Sequence, residues 1–374
     1  MRYQNVCLEA IGYTLPEEVV TTVALERLLD PVYQRLRLPQ GRLELMTGIE
    51  ERRFFPPETL PSQVSIQSGR QALQISGIDP GQIGALIHGS VCRDHLEPAT
   101  ACHVHHHLGL PAECLIYDVS NACLGILTGL IQVANMIELG QIRAGLIVGT
   151  ECGRELVENT ISKLNNETRL TRREIKSSIA SLTIGSGSVA VLLCDKQLSQ
   201  TQNGLLGASV LARTDHRQLC QSDGLQSFMN TDSEQLMHQG IAAGAETFGS
   251  FLKEIGWTRR QVDKTICHQV GVAHRRQLLE ALDMAPNSDY ATLETLGNTG
   301  AVALPLTLAL GAEAGHLQPT DRVALLGIGS GINCQMLAIQ WQRSLVQGRV
   351  GIGSDVEKDG AYKSSAPAMA SASA

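Results

Sequence analysis

Short runs of apolar residues, bounded by glycine or by polar turns, recur along the chain. Their length and composition predict buried β-strands over residues 83–88 (IGALIH), 144–149 (AGLIVG), 262–268 (VDKTICH) and 323–327 (VALLG). Other segments follow a helical period, with apolar residues at i, i+3, i+4 and i+7 on one face (Leu127, Leu130, Ile131 and Ala134). Strand and helix patterns that alternate in this way predict an α/β protein of layered design.

Two stretches of the chain repeat one pattern. In residues 83–149 and again in residues 262–327, a strand is followed by a glycine-containing turn, an apolar helix, a polar turn and a second apolar run. We interpret this as a duplicated βαβ-type half, with each helix start facing the seam between the halves. The alternative is a chance similarity between two α/β segments.

The end of the chain differs in composition. From about residue 348 it is rich in Gly, Ser, Ala and Lys and has little periodicity, which is typical of a flexible segment. The predicted organisation is therefore an N-terminal half over 1–195, a C-terminal half over 196–343 and a flexible tail over 344–374.

Length and charge exclude several classes of protein. The 374 residues can bury a substantial core, so a peptide hormone or a small binding module is excluded. The net charge of −7, without a visible basic cluster, and the 3% of aromatic residues argue against nucleic-acid binding. No basic segment followed by an apolar one marks a secretion signal, and the most apolar stretch, residues 301–312, is shorter than a membrane span. A cytoplasmic protein without membrane insertion is expected.

Ten cysteines are present without C-x-x-C spacing, so each is expected to be a free thiol. Cys123 differs from the others because a short apolar strand precedes it and an apolar helix follows it. The N-terminus of a helix lowers the pKa of a cysteine, and its N–H groups can hold an oxyanion. Cys123 is thus a candidate nucleophile; the alternative is a small buried apolar residue.

A thiolate nucleophile needs partners from elsewhere in the chain. His268 ends the strand that begins the second copy, and Asn298 lies in a turn, GNTG, before the helix that corresponds to the Cys123 helix. Strand ends and helix starts commonly deliver catalytic side chains, so both are candidates. The alternatives are a hydrogen-bonded core histidine and a helix-capping asparagine.

Four motifs together resemble the thiolase superfamily, and within it the 3-oxoacyl-ACP synthase III branch. They are residues 118–125 (DVSNACLG), 266–270 (ICHQV), 297–300 (GNTG) and 326–331 (LGIGSG), and the resemblance covers about residues 1–343. It implies a five-layered αβαβα fold of two similar halves, a homodimer, and carbon–carbon bond formation between thioesters with a Cys123–His268–Asn298 triad. No metal and no cofactor are expected, and acyl-CoA is counted as a substrate.

Residues 90–101 (SVCRDHLEPATA), together with 326–333, resemble the OleA-type acyl-CoA condensing enzymes of long-chain olefin synthesis. The resemblance to this type implies that Glu97 reaches the active site of the partner subunit. Condensing two simple acyl thioesters requires removal of an α-proton, so a positioned carboxylate is needed. Glu97 is the candidate base; the alternative is an ordinary surface glutamate before Pro98.

The expected mechanism begins when Cys123 is acylated by a first acyl-CoA. The backbone N–H of Cys123 and one from the turn containing Gly329 and Ser330 would form the oxyanion hole. His268 and Asn298 would hold the second thioester, and Glu97 would generate its carbanion. The product would be a 2-alkyl-3-oxoacyl thioester, and downstream olefin-pathway enzymes are expected partners.

Other signals carry less weight. The histidines at 103, 105, 106 and 107 suggest a metal, but on a helix only the 103–106 and 103–107 pairs share a face, so no metal site is expected. The charged segment 155–176 departs most from compact synthase patterns, and the resemblance implies that insertions of this kind cap the acyl tunnel and contribute to the dimer surface. The alternative functions are a decarboxylating synthase III using malonyl-ACP, an acyltransferase or thioesterase, and an inactive structural subunit.

Overall fold

The computed structural model describes residues 1–222 and 229–353, without the side chains of residues 173 and 174. Strands in these residues are β1 (Val6–Leu15), β2 (Glu18–Thr21), β3 (Glu51–Phe54), β4 (Ile83–His88), β5 (Leu115–Asp118), β6 (Ala144–Glu151), β7 (Gly187–Asp195), β8 (Gly204–Ala212), β9 (Cys220–Gln221), β10 (Asn230–Thr231), β11 (Lys264–Cys267), β12 (Arg322–Gly329), β13 (Asn333–Gln340) and β14 (Val346–Val350).

The α-helices in the same residues are α1 (Thr22–Leu28), α2 (Asp30–Leu36), α3 (Arg42–Thr47), α4 (Pro61–Ser76), α5 (Thr100–Leu108), α6 (Gly125–Glu138), α7 (Arg154–Asn166), α8 (Arg172–Leu182), α9 (Ser233–Ile255), α10 (Val272–Ala281), α11 (Leu293–Leu296) and α12 (Ala303–Glu313).

The main sheet contains the same strand arrangement twice. One set runs β1-β7-β6-β4-β5 and the other β8-β13-β12-β11. In each set the first two pairings are antiparallel and the third is parallel. A parallel bridge between Thr265 and Asp289 takes the place of the fifth strand in the second set. The two sets meet at β1 and β8 through one registered pair, Cys7 and Gly204. The predicted duplication is therefore confirmed.

Three apolar clusters define the layers. Helices α6 and α12 lie between the two sets of strands, where Leu127 and Leu306 belong to one buried cluster. Helices α4 and α5 cover the outer face of the first set, and α9 and α10 cover the outer face of the second. Neighbouring residues of a strand face opposite layers, as Leu146 and Ile147 of β6 do. The layers alternate as αβαβα, which confirms the fold class predicted from the sequence.

A fourth cluster joins the helices beside the sheets. Side chains of α1, α2, α3, α7 and α8 pack together in it, including Leu25, Val32 and Val157. The Arg35 guanidinium donates to the backbone oxygens of Leu164 and Asn165 and so ties α2 to the end of α7. We call these five helices the cap; the charged segment 155–176 lies within α7 and α8, apart from the loop between them.

The predicted flexible tail begins as ordered structure. Strand β14 pairs in parallel with β1, from Ile11 opposite Val346 to Leu15 opposite Val350. Gly348 lies directly against the ring of Tyr13, where any side chain would collide with it. Gly348 thus serves a close contact, and the prediction of a flexible tail was wrong for residues 346–350. Residues 354–374 of the predicted tail lie outside the described residues.

A close contact between Gly125 and Gly89 should make one position intolerant of any side chain. A Cβ atom at Gly125 would lie 2.2 Å from the backbone oxygen of Gly89. Gly125→Ala is expected to lower the free energy of unfolding by about 3 kcal/mol, because backbone must shift. Gly249→Ala, at an exposed site of α9 with no neighbour within 4 Å, should instead raise it by about 0.5–1 kcal/mol. Urea unfolding of both variants measures these changes in the free energy of unfolding. If Gly125→Ala and Gly249→Ala unfolded at the same urea concentration, the close contact at Gly125 would be disproved.

Candidate active site

A cavity of about 330 Å³ opens between the cap and the layered body. Five residues selected from the sequence line it together: Cys123, His268, Asn298, Gly329 and Ser330. They come from four separate places in the chain, at the ends of strands or at the starts of helices. The fold therefore brings together the predicted nucleophile, its two predicted partners and the glycine turn.

A strained turn presents Cys123. Ala122 has a φ of 45°, which is uncommon for a residue with a side chain. Asn121 holds this turn in place: its Nδ2 donates to Thr128 Oγ1 at 2.9 Å, and its Oδ1 accepts from Asn333 Nδ2 at 3.0 Å. Cys123 lies in a single 3₁₀ turn, and α6 begins only at Gly125.

The thiol of Cys123 is neutral in this setting. Burial, followed by the charge of Glu151 and then of Cys220, raises the pKa of Cys123 to about 12. This direction is opposite to the one expected from a helix N-terminus, because loss of hydration outweighs the favourable contribution of the backbone N–H. The proton must therefore leave the sulfur as the reaction proceeds.

His268 supplies a neutral imidazole. Its backbone N–H donates to Leu326 at 3.1 Å, while neither ring nitrogen has a hydrogen-bond partner among the described residues. Burial, reinforced by the neighbouring His274, lowers the pKa of His268 to about 3. One ring nitrogen can therefore donate a hydrogen bond and the other can accept one.

Hydrogen bonds hold the backbone of Asn298 at both its N–H and its carbonyl oxygen. Its N–H donates to the oxygen of Thr183, and its oxygen accepts from the N–H of Gly185, both at 2.9 Å. Its Oδ1 accepts from the N–H of Gly300 at 3.0 Å. This arrangement leaves the Nδ2 protons to donate to a carbonyl oxygen in the cavity.

The glycine turn after β12 borders the thiol. A Cβ atom at Gly329 would be 3.6 Å from the Cβ of Cys123, an ordinary van der Waals distance. Ser330 follows in the same cavity wall. The turn thus lies next to Cys123, and its role in an oxyanion hole shared with the Cys123 N–H stays a prediction.

Glu97 lies outside the cavity of its own chain. It is exposed, in the loop between β4 and α5, next to Leu96, which is 92% exposed. Only the start of this loop, Val91 and Cys92, reaches the cavity. The structure does not bring Glu97 and Cys123 together within one chain, and the role of Glu97 across a dimer stays a prediction.

Three cavity residues with a carboxylate, imidazole or ammonium side chain were missed in the sequence. Glu151 ends the observed strand β6, two residues beyond the predicted strand. His274 lies in α10 with an unpartnered Nδ1, and Lys176 lies in α8, where it pairs with Glu234 at 3.2 Å. The available signal for Glu151 was a carboxylate at the carboxyl end of a buried parallel strand. Burial raises the pKa of Glu151, while three N–H donors oppose the increase.

Apolar side chains form most of the remaining wall. The cap contributes Met46, Leu156 and Ile179, and α9 contributes Leu236 and Met237. Such a surface suits an alkyl chain, whose burial is favourable in proportion to the area removed from water. Leu156 belongs to the charged segment 155–176, so this segment does border the cavity.

The described residues contain no group of three or more His, Cys, Asp or Glu side chains that could hold a metal ion. In the histidine-rich helix, His105 Nε2 contacts the oxygen of Pro111, and His107 Nδ1 contacts that of His103. Nor does any helix in the described part of the chain have the length and apolar character needed to cross a membrane.

Two family models match the chain. Residues 46–199 match the thiolase N-terminal domain, and residues 252–341 match the C-terminal domain of 3-oxoacyl-[acyl-carrier-protein] synthase III. Together they contain Cys123, His268 and Asn298.

Relatives with known names cover nearly the whole chain. An acyl-CoA:acyl-CoA alkyltransferase of Shewanella oneidensis is 44% identical, and the match covers 91% of this chain and 100% of the relative. The acyl-CoA:acyl-CoA alkyltransferase of Xanthomonas campestris is 31% identical, and its match also covers 91% of this chain and 100% of the relative. A β-ketoacyl-[acyl-carrier-protein] synthase III of Geobacillus kaustophilus is 25% identical, covering 89% and 98%.

A crystal structure of a variant of Xanthomonas campestris OleA with bound lauric acid and lauroyl-CoA superposes with a TM-score of 0.87 at 31% identity, covering 91% of this chain and 100% of that one. The chain matches these proteins over nearly its full length and nearly theirs. It therefore belongs to the OleA-type acyl-CoA:acyl-CoA alkyltransferases, thiolase-fold enzymes that transfer acyl groups.

Proposed function

We propose that this enzyme joins two long-chain acyl-CoA molecules by a Claisen condensation without loss of carbon dioxide. The observation that carries the proposal is the meeting of Cys123, His268 and Asn298 in one cavity with apolar walls. Support also comes from the relatives, whose name specifies two acyl-CoA substrates.

In the first step, Cys123 Sγ attacks the carbonyl carbon of one acyl-CoA. The sulfur–carbonyl bond to CoA breaks, and the proton of the Cys123 thiol ends on the CoA sulfur. His268 suits the transfer of this proton, because a neutral imidazole accepts and donates in turn. The N–H groups of Cys123 and of the Gly329–Ser330 turn stabilise the oxyanion.

In the second step, the carbonyl of another acyl-CoA accepts hydrogen bonds from His268 and from Asn298 Nδ2. Glu97 of the neighbouring subunit removes an α-proton, and the carbanion attacks the carbonyl of the acylated Cys123. The bond to Cys123 Sγ breaks, and the proton that the sulfur takes up balances the α-proton that Glu97 removed. The product is a 2-alkyl-3-oxoacyl-CoA, and hydrolysis of its thioester gives a 2-alkyl-3-oxo acid.

The mechanism needs a homodimer and no cofactor. Support for the dimer comes from Glu97, which is exposed and outside its own cavity, and from β5, an edge strand with Leu115 half exposed. The reactive 3-oxo acid makes reducing or decarboxylating enzymes of olefin synthesis suitable partners. We place the enzyme in the cytoplasm, where acyl-CoA is available.

The test is incubation of the purified enzyme with myristoyl-CoA alone, with Cys123→Ser as the control. CoA release and mass spectrometry of the organic extract are followed together. We expect a long-chain ketone, formed when the 3-oxo acid loses carbon dioxide. Free fatty acid as the sole product would indicate a thioesterase, and a product that requires malonyl-ACP would indicate a decarboxylating synthase; either result overturns the proposal.

A further inference from the structure

Glu151 is a buried carboxylate that the proposed mechanism does not use. It is the last residue of β6, it is 5% exposed, and it lines the same cavity as Cys123. A buried carboxylate is costly unless hydrogen bonds compensate for lost hydration. Its partners therefore indicate what this position does.

Two of these partners begin the loop that leads to Glu97. The N–H of Val91 donates to Glu151 Oε1 at 3.0 Å, and the N–H of Cys92 donates to Oε2 at 3.2 Å. The preceding residue is held as well, because Ser90 Oγ accepts from the N–H of Thr150 at 2.7 Å. The start of the loop is thereby fixed to the end of β6.

The third partner belongs to the turn of Asn298. The N–H of Ala301 donates to Glu151 Oε1 at 3.2 Å. Gly300, with a φ of 57°, packs against the carboxylate, and a Cβ atom there would lie 3.2 Å from it. Gly300 in turn donates to Asn298 Oδ1. The carboxylate therefore contacts the segment that sets the direction of the Asn298 amide.

We propose that Glu151 is a positioning residue for the condensation, because one carboxylate fixes both the loop that carries Glu97 and the turn that carries Asn298. This inference rests on the proposed function. Asn298 serves its own active site, whereas Glu97 serves that of the neighbour. Glu151 thus connects the two active sites of the dimer within each subunit.

Only a carboxylate fits the three donors. Both of its oxygens accept, whereas a glutamine would turn an NH₂ group toward one of the backbone N–H groups. The Val91, Cys92 or Ala301 N–H would then lose its acceptor in a buried position, which forces the segment to move. A small displacement of a positioned group lowers reaction rates steeply.

The test separates the two half-reactions in Glu151→Gln. We expect acylation of Cys123 by myristoyl-CoA, followed by mass spectrometry of the protein, to stay within about threefold, and condensation to fall about 100-fold. Glu9→Gln is the matched control, because Glu9 is also buried and accepts from the backbone N–H groups of Gln200 and Thr201, away from the cavity. Glu9→Gln should leave the ratio of the two rates unchanged.

A second readout follows the charge of Glu151. The charge of Glu151 raises the pKa of Cys123, so Glu151→Gln should move the pH profile of Cys123 alkylation by iodoacetamide to lower pH. If Glu151→Gln does not fold, Gly300→Ala tests the same contact with the charge retained, and the same selective loss of condensation is expected.

Wild-type condensation rates in Glu151→Gln, or an equal loss of acylation and condensation, would overturn the inference. Failure of the proposed function is distinguishable, because the wild-type enzyme itself would then form no ketone.

Discussion

The Cys123→Ala variant is expected to release CoA from myristoyl-CoA about 10⁴-fold more slowly than the wild-type enzyme, since the proposed mechanism forms the acyl-enzyme on the Cys123 sulfur. The same variant should form no ketone. Its stability should change little, because the Cys123 side chain opens on the cavity and its truncation removes few packing contacts. A thiol reagent that detects free CoA measures the rate of CoA release, and thermal unfolding measures the change in stability.

Cys102→Ala is the matched control, since Cys102 is a partly buried thiol of α5 that does not line the cavity. It should release CoA at the wild-type rate. Equal rates for Cys123→Ala and the wild type would remove Cys123 from the mechanism and with it the acyl-enzyme.

Glu97→Gln is expected to stop condensation while Cys123 still becomes acylated. A positioned base contributes about 10²–10⁴ to a proton transfer, and Glu97 is assigned only to the α-proton of the second acyl-CoA. The acyl-enzyme should therefore accumulate and be detected as an added mass on Cys123. Glu280→Gln, at an exposed site of α10, should have no effect on either step.

Mixed dimers decide which subunit Glu97 serves. If subunits of Cys123→Ser and Glu97→Gln exchange freely, about half of the dimers contain one of each, and in these one site has both an intact Cys123 and an intact Glu97 from its neighbour. The mixture should recover about a quarter of the wild-type activity. No recovery, with exchange verified by mass spectrometry, would mean that Glu97 acts within its own chain or not at all.

Local patterns were sufficient to predict a layered α/β protein with a duplicated half, whereas the five layers were implied by the resemblance to the thiolase superfamily. The continuous apolar runs of β6 and β12 and the helical period of α6 are visible in the residues themselves. The candidate triad was also accessible, because Cys123, His268 and Asn298 each follow a strand or precede a helix in matching places of the two copies.

The polar network around Glu151 was not accessible from the sequence. Its donors are backbone N–H groups, which every residue except proline carries, and they come from residues 60, 59 and 150 positions away. No side-chain pattern marks such partners. The high pKa of Cys123 was missed for a similar reason, because it depends on burial by distant segments rather than on the local helix start.

The central layer has a consequence for how the enzyme can be divided. Helices α6 and α12 come from different halves of the chain but pack in one apolar cluster, while the strands of the two sets share a single registered pair. A fragment that ends near residue 195 would expose its side of α6 and of the first sheet to water, and the complementary fragment would expose α12. The two copies have the same topology, but each one covers the apolar surface that the other would leave exposed. Two gene fragments would therefore have to be produced together to give a folded enzyme.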